Sequence, residues 1–248
     1  MLITPDFVFI QSAKTGTSTL RDSLMTFHHE QLENRRLTKK IRDWAAYQTR
    51  RRYPYCTEIT GQGTAGRHKH LNVSDIPPSV NHLPVVSSIR HPDSWIVSHY
   101  TYGDWKRKLN QVGLNQGQEN SIDLFLEYSN RQTKRYSSQR GFYSWAFLVQ
   151  HVVNNPDNTT RSDLLKSISK IHWIRMEAMK EDFNEVQTQL NMPAKYGCFI
   201  PLLPKVNSSK AKATDEEKRR LSDYMRNANP LLYEIYEAIA SKAPPSVQ

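Results

Sequence analysis

Cysteines and long apolar runs are scarce in this chain of 248 residues, which argues against a zinc-stabilised protein and against a membrane-spanning one. The two cysteines, Cys56 and Cys198, belong to no Cys-x-x-Cys pair and no cysteine–histidine cluster, so no structural zinc site is predicted. We interpret them as buried thiols, and one disulfide is the alternative. No apolar run approaches the ~18–20 residues that span a bilayer, and the N-terminus lacks a basic-then-apolar secretion signal. These features predict a soluble, cytoplasmic protein, although a truncated lumenal domain would look the same.

Acidic residues are outnumbered by basic ones. The chain has 34 lysines and arginines but only 24 aspartates and glutamates, which gives a net charge of +10. This excess favours an anionic partner, such as a nucleotide, a sulfated or phosphorylated product, an acidic glycan or a nucleic acid. A basic surface that only aids solubility is the alternative. The composition is globular, and we predict one domain over residues 1–248 with helical insertions around 30–53 and 101–160.

Short apolar runs alternate with helical patterns along the chain. Continuous apolar runs predict buried strands at Asp6–Gln11, Pro84–Ile89 and Ile171–Arg175. Helices are predicted at Thr17 or Ser18 to about His29, Pro92 to about Gly103, Ile122–Tyr128, Phe142–Val153, about Glu181 to Leu190, after a capping box at Thr214–Glu217, and after Pro230. The glycine-rich segment Gly61–Arg67 is predicted to be a turn. This order of elements predicts an α/β fold with three layers around a central, mostly parallel sheet.

The first predicted strand passes into a helix through the segment Gln11-Ser-Ala-Lys-Thr-Gly-Thr-Ser18. It is not a Walker A sequence, because the lysine precedes the glycine. Gly16 nevertheless permits a tight turn, and backbone N–H groups at a helix start face an anion. Lys14 adds a charge, and hydroxyl donors come from Thr15, Thr17, Ser18 and Thr19. An ordinary strand-to-helix turn with polar caps is the alternative interpretation.

The second such turn follows the strand at Pro84–Ile89 and reads Arg90-His-Pro-Asp-Ser-Trp-Ile-Val-Ser98. An arginine at the end of a strand can bind a phosphate in a bidentate fork. Ser98 lies eight residues later and therefore about two turns along the next helix. A solvent-facing arginine and an ordinary helix serine are the alternative. We expect the two turns to lie at the tips of neighbouring strands, where they would hold two phosphate-like groups of one nucleotide.

In this order and spacing, the two segments resemble those of sulfotransferases that use 3′-phosphoadenosine 5′-phosphosulfate (PAPS). That superfamily carries a PKTGT- or PKSGT-like loop, and this chain has Ala13 where proline is usual. The stretches Trp173–Phe183 and Lys205–Lys210 are similar to two later family segments. Within the former, Glu177 is predicted to be structural and to pair with Arg175 or a basic loop residue. The segment with Lys69-His70, together with RHPDSW, looks most like the carbohydrate-type or bacterial branch.

The resemblance implies a P-loop nucleotide-hydrolase-like sulfotransferase fold and a nucleotide held by residues of several segments. Lys14 would contact the bridging oxygen of the phosphosulfate and stabilise charge on the leaving phosphate. Arg90 and Ser98 would hold the 3′-phosphate, and Lys210, with Lys212 as the alternative, would add a late basic contact. The full set implied for the nucleotide is Lys14, Thr15, Gly16, Thr17, Ser18, Thr19, Arg90, Ser98 and Lys210.

The implied reaction is O-sulfation: a sulfuryl group moves from PAPS to an acceptor hydroxyl, and 3′,5′-adenosine bisphosphate (PAP) is released. No metal is expected, and the acceptor is a hydroxyl-bearing small molecule or a carbohydrate rather than a nucleic acid. The acceptor must lose a proton, and His70 is the first candidate base because the pKa of histidine suits the task. His68 is the second candidate, and a carboxylate such as Glu58 is the third.

Two other functions fit parts of the sequence. A P-loop-like kinase of a small molecule would require ATP and magnesium, but the GK[ST] signature is missing. A non-enzymatic basic protein that binds glycans or nucleic acids would depend on charge alone and would show steep salt dependence. The oligomeric state and the identity of the acceptor remain open at this level.

Overall fold

The computed structural model describes residues 1–11, 15–33, 57–58, 61–63, 66–68, 71, 73–115, 121–135, 168–192 and 212–241. The chain divides into two compact units. The described part of the first unit comprises residues up to 89 together with 168–192, and that of the second comprises 90–135 and 212–241. The helix predicted at Phe142–Val153 lies outside the described residues.

A five-stranded mixed sheet forms the centre of the first unit. Its strands are β1 (Leu2–Ile3), β2 (Val8–Ile10), β3 (Thr57–Glu58), β6 (Val85–Ile89) and β7 (Ile171–Arg175), in the order β3-β1-β2-β6-β7. β2, β6 and β7 are parallel neighbours, and β1 is antiparallel to both β2 and β3. The α/β class is confirmed. The sheet is mixed, because β1 and β2 are joined by too short a connection for a parallel crossover, but β2, β3, β6 and β7 all run in the same direction.

The connection between β1 and β2 is a tight turn that the sequence pattern did not predict. The Thr4 hydroxyl donates to the Phe7 carbonyl oxygen at 2.8 Å and accepts from the Phe7 N–H at 3.0 Å. Because these bonds close the chain on itself within four residues, β1 must run back along β2. Met1, Leu2 and Ile3 are completely buried as a result.

Apolar side chains on both faces of the sheet explain why its strands appear as continuous apolar runs. Phe7 and Phe9 pack with Leu20 and Leu24 of α1 (Thr17–Glu33) and with Phe183 of α4 (Met179–Gln189). Successive residues of a strand point to opposite faces, so Val8 and Ile10 face the other way. They pack against segment 71–85, which contains 3₁₀ turns at Val73–Asp75 and Pro78–Val80.

A buried ion pair joins β7 to α4. Asp182 is 4% exposed and accepts three hydrogen bonds from Arg175: from the backbone N–H at 2.8 Å, from Nε at 2.8 Å and from Nη2 at 2.7 Å. Asp182 is thus a partner of Arg175 that the sequence pattern did not identify, while the predicted contact of Glu177 with Arg175 or a basic loop residue stays a prediction. Glu177 lies in the short 3₁₀ turn Met176–Ala178 and is exposed, whereas Asp182 reaches back over the strand end from the first turn of α4.

Loss of this pair should destabilise the protein strongly, because Asp182→Asn leaves the Arg175 guanidinium largely buried without its counter-charge. Removal of one partner of such a pair costs about 3–5 kcal/mol. We expect the urea midpoint to fall accordingly, as followed by circular dichroism. Asp22→Asn is the matched control, because Asp22 pairs with Arg21 on the half-exposed side of α1. An equal loss in both variants would contradict this assignment.

Helices form the described part of the second unit. They are α2 (Pro92–Tyr102), the 3₁₀ helix Asp104–Val112, α3 (Ile122–Arg135), α5 (Asp215–Ala228) and α6 (Pro230–Ala240). The core contains Trp95, Trp105, Phe125, Leu221 and Leu232 among other buried side chains. The capping box predicted at Thr214–Glu217 is confirmed, with both of its hydrogen bonds present. Across the described residues of both units, no helix has the length and apolar character needed to cross a membrane.

The glycine-rich segment is a hairpin rather than the simple turn predicted from its composition. β4 (Gly61–Gly63) and β5 (Gly66–His68) are antiparallel and form a separate two-stranded sheet. The register pairs Gly61 with His68 and Gly63 with Gly66. The turn prediction was wrong because glycine occurs in turns and hairpins alike. The close spacing of these glycines leaves room for strand pairing on either side of the turn.

Candidate functional site

The two predicted anion-binding turns both follow strands that end at the same edge of the sheet. β2 and β6 pair directly and in parallel, with Val8 opposite Val85 and Ile10 opposite Ser87. In open α/β sheets, ligands bind beyond the carboxyl ends of the parallel strands. The predicted neighbouring position of the two strands is thus confirmed, and the carboxyl edge of β2 and β6 is the candidate site.

Gly16 opens helix α1 in a conformation that favours glycine. Its φ is +78°, and its carbonyl oxygen accepts the first helical hydrogen bonds from the N–H groups of Thr19 at 3.1 Å and Leu20 at 3.3 Å. A Cβ at this position would lie 2.7 Å from Met179 Cε and 3.2 Å from Met176 Cγ. The backbone conformation therefore favours glycine here, and an added Cβ would in addition require the flexible Met179 side chain to move.

Two serines of β6 hold the end of β2 and the turn after it. The Ser87 hydroxyl donates to the Ile10 carbonyl oxygen at 3.1 Å. The hydroxyls of Ser88 and Thr15 share a hydrogen bond of 2.7 Å, and both side chains are buried. The Thr15 hydroxyl thus contacts the neighbouring strand. Sequence analysis missed this role, although two adjacent serines within an otherwise apolar strand were a visible signal.

The start of α1 has a positive electrostatic character. The first turn contains no acidic residue, which is also true of α6, whereas α2, α3, α4 and α5 each have at least one there. The partial positive charge of the helix dipole is therefore not offset by a carboxylate of its own first turn. Thr17 is buried, while Ser18 and Thr19 are half-buried. An anion at this position would face backbone N–H groups and nearby hydroxyls.

Glu58 lies close to the end of β2 and is part of a polar network. Its Oε1 accepts a hydrogen bond from Gln11 Nε2 at 3.0 Å and lies 3.7 Å from Arg21 Nη1 of α1. Glu58 was the third candidate for the base. Because its carboxylate already faces an amide and a guanidinium, the geometry favours a structural role that ties β3 to β2 and α1.

The direction of β3 carries the glycine hairpin toward the same edge. β1 is antiparallel to both β2 and β3, so β3 runs in the direction of β2, with Glu58 and Phe9 both opposite Leu2. Gly61 begins three residues after Glu58, within about 10 Å of it along an extended chain. The backbone of His68, which ends β5, therefore belongs to a hairpin that starts within about 10 Å of the end of β3.

The second turn lies in the second unit, where His91 and Asp93 stabilise the start of α2. His91 is the N-cap, and its Nδ1 accepts a hydrogen bond from the Asp93 N–H at 3.3 Å. Its ring lies edge-on to Tyr236, with centroids 4.9 Å apart. Arg90 and Ser98 are the residues of this turn that the sequence resemblance assigns to a ligand. Both are half-buried.

Asp93 also joins α2 to the last two helices. Its Oδ2 lies 3.1 Å from Arg226 Nη2 of α5, and its Oδ1 accepts a hydrogen bond from the Tyr233 hydroxyl of α6. Burial raises the pKa of the Tyr233 hydroxyl above its usual range, and the hydrogen bond to Asp93 adds to the effect. Tyr233 is therefore a stable donor at neutral pH. Sequence analysis did not find this contact, because its partners are more than 130 residues apart.

Several predicted site residues fall outside the described part of the chain. These are Lys14, His70 and Lys210, as well as Ala13, and the side chain of His68 is also outside it. Their roles stay predictions. Lys212, the alternative to Lys210, is exposed just before α5. Among the described residues, no group of three or more histidine, cysteine, aspartate or glutamate side chains could hold a metal ion.

No protein-family model, no curated protein and no solved structure matches this chain. In the first unit, the described parts of the candidate site are the turn at Gly16 after β2, the start of α1, whose first turn has no carboxylate, and the hydroxyl contacts from β6.

The hydroxyl contact between Thr15 and Ser88 should stabilise the turn. Thr15→Val keeps the shape of the side chain but leaves the buried Ser88 hydroxyl without this bond, at a cost of about 1–3 kcal/mol. We expect a lower urea midpoint for Thr15→Val, while Thr15→Ser, which keeps the hydroxyl, stays closer to the parent protein. If Thr15→Ser lost more stability than Thr15→Val, packing of the methyl group rather than the hydrogen bond would be the important contact.

Proposed function

We propose that the protein is a sulfotransferase that moves a sulfuryl group from PAPS to the hydroxyl of a small molecule or carbohydrate. The observation that carries the proposal is the parallel pairing of β2 and β6. This pairing brings together the carboxyl ends of the two strands that precede the PAPS-like sequence segments. The left-handed Gly16 and the lack of acidic residues in the first turn of α1 support an anion at the first segment.

In the proposed complex, the start of α1 binds the 5′-phosphosulfate through backbone N–H groups and the hydroxyls of Thr17 and Ser18. Arg90 and Ser98 bind the 3′-phosphate. A guanidinium forms a bidentate pair with phosphate, which gives this subsite its selectivity for a nucleotide that carries a 3′-phosphate. The Thr15 hydroxyl contributes indirectly, because it holds the turn against Ser88.

The chemical step is an in-line displacement at sulfur. The acceptor oxygen forms a new S–O bond while the bond from sulfur to the bridging oxygen of PAPS breaks, and the acceptor proton passes to a base. Lys14 stabilises the negative charge that develops on the departing phosphate of PAP. His70 is the proposed base and His68 its alternative. His68 ends the hairpin that begins three residues after Glu58, and His70 follows that hairpin in the sequence.

A comparison of ligands tests the proposal against the two alternatives. We expect PAP to raise the melting temperature in a concentration-dependent way, since a ligand that binds only the folded state stabilises it. ATP with magnesium should have a smaller effect, as should oligonucleotides at physiological salt. A larger shift with ATP and magnesium would favour a kinase instead. Binding only to oligonucleotides or acidic glycans, with a steep dependence on salt, would favour a non-enzymatic basic protein.

Lys14→Ala should lower turnover with PAPS by about 10²–10³-fold, the range seen when one electrostatic donor to a developing oxyanion is removed. The measurement is transfer of radiolabelled sulfate to a panel of hydroxyl acceptors. Lys180→Ala, which removes an exposed lysine of α4, is the charge-matched control and should keep full activity. Near-normal turnover in Lys14→Ala with an unchanged fold would show that Lys14 does not act on the leaving phosphate.

A further inference from the structure

Polar side chains of the second unit fix helix α2 at both of its ends. At the first turn, Asp93 contacts Arg226 and Tyr233, and these three residues are called the Asp93 cluster below. Near the last turn, the Tyr100 hydroxyl donates to Glu217, the capping-box residue of α5. Ser98 lies between these two contacts. The helix that bears it is therefore held in orientation by two separate links to the C-terminal helices.

The Asp93 cluster is internally supported by ring contacts. The Arg226 guanidinium lies over the Tyr233 ring, 4.6 Å from its centroid. The Tyr233 ring in turn lies edge-on to His91, with centroids 5.9 Å apart. His91 directly follows Arg90 and caps α2 through its ring nitrogen. A chain of contacts thus leads from α5 and α6 to the residue next to Arg90.

The backbone beside Arg90 has little freedom once α2 is fixed. His91 precedes Pro92, which restricts its backbone to extended conformations, and its φ of −52° and ψ of 131° agree with this. The His91 carbonyl oxygen accepts the first helical hydrogen bond, from the Trp95 N–H at 2.9 Å. The direction in which the chain enters α2 from Arg90 is therefore set by where the start of α2 is held.

The contacts of the Asp93 cluster are partly exposed, so we ask what they contribute besides stability. The Arg226 side chain is 57% exposed and that of Asp93 is 25% exposed, so solvent screens their attraction and the pair contributes little to stability. Burial of Trp95 and Ile96 already fixes α2 in the apolar core. The contacts of Asp93 with Arg226 and Tyr233 are directional, so they also fix the rotation of α2 and the position of its first turn.

We propose that Tyr233 and Arg226 are positioning residues that act through Asp93 to orient Arg90 and Ser98 toward the 3′-phosphate of the nucleotide. This inference rests on the proposed function. It assigns to the C-terminal helices a role in selectivity for nucleotides with a 3′-phosphate over those without one. The effect is specific to that phosphate, because the cluster is linked to the turn that carries Arg90.

The test compares PAP with adenosine 5′-phosphate, which lacks the 3′-phosphate, by isothermal titration calorimetry. Tyr233→Phe removes the hydroxyl that bonds to Asp93. We expect its affinity for PAP to fall about tenfold, because Arg90 and Ser98 lose their fixed orientation toward the 3′-phosphate, while its affinity for adenosine 5′-phosphate changes by less than about twofold. Tyr224→Phe is the matched control, since that hydroxyl contacts Asn130 elsewhere in the unit, and it should bind both nucleotides normally.

The outcomes separate this inference from the proposed function. If the parent protein shows no preference for PAP, or Arg90→Ala leaves that preference unchanged, the assignment of the 3′-phosphate subsite is wrong. If the parent protein and Arg90→Ala behave as proposed but Tyr233→Phe keeps the full preference, the positioning role is overturned. A lower melting temperature with an unchanged ratio of the two affinities would likewise show a purely structural role. Arg226→Gln repeats the test from the other partner of Asp93 and applies if Tyr233→Phe does not fold.

Discussion

The parallel pairing of β2 with β6 is the constraint on which the candidate site depends. Three residue pairs, Val8–Val85, Phe9–Val86 and Ile10–Ser87, set the register. This register brings Ser87 and Ser88 to the end of β2, where their hydroxyls contact the Ile10 carbonyl and Thr15. A shift of one residue would exchange the faces to which Ser87 and Ser88 point and would break both contacts. The buried strand therefore also shapes the turn that opens α1.

The residues around this edge have divided roles. Thr15, Glu58 and His91 have partners within the protein that hold the turns or the strands in place. In the proposed function, the anionic ligand binds at the start of α1 and at Arg90 and Ser98. Such a division is what a preorganised site requires, because groups that bind a charge must be held by others that do not. The net positive charge of the whole chain also favours an anionic ligand, but it does not indicate where on the protein that ligand binds.

Sequence patterns predicted the elements whose causes are local. The strands at Val8–Ile10, Val85–Ile89 and Ile171–Arg175 followed from short apolar runs, and α5 followed from its capping box at Thr214–Glu217. The predictions failed where pairing with a distant segment decided the outcome. β1 was missed because two residues carry no periodicity, and the hairpin Gly61–His68 was taken for a turn because glycine favours both.

The sequence by itself determined the alternation of strands and helices, the position of Gly16 in the first polar turn and the order of the two polar turns. Each strand, helix and turn depends on residues that are close to one another in the chain. Only the tertiary structure decided which carboxylates pair with which cations. Asp182 pairs with Arg175 across the end of β7, and Asp93 pairs with Arg226, 133 positions further along the chain. The physical reason is that ion pairs and hydrogen bonds act over a few ångströms in space, and sequence distance does not report that separation.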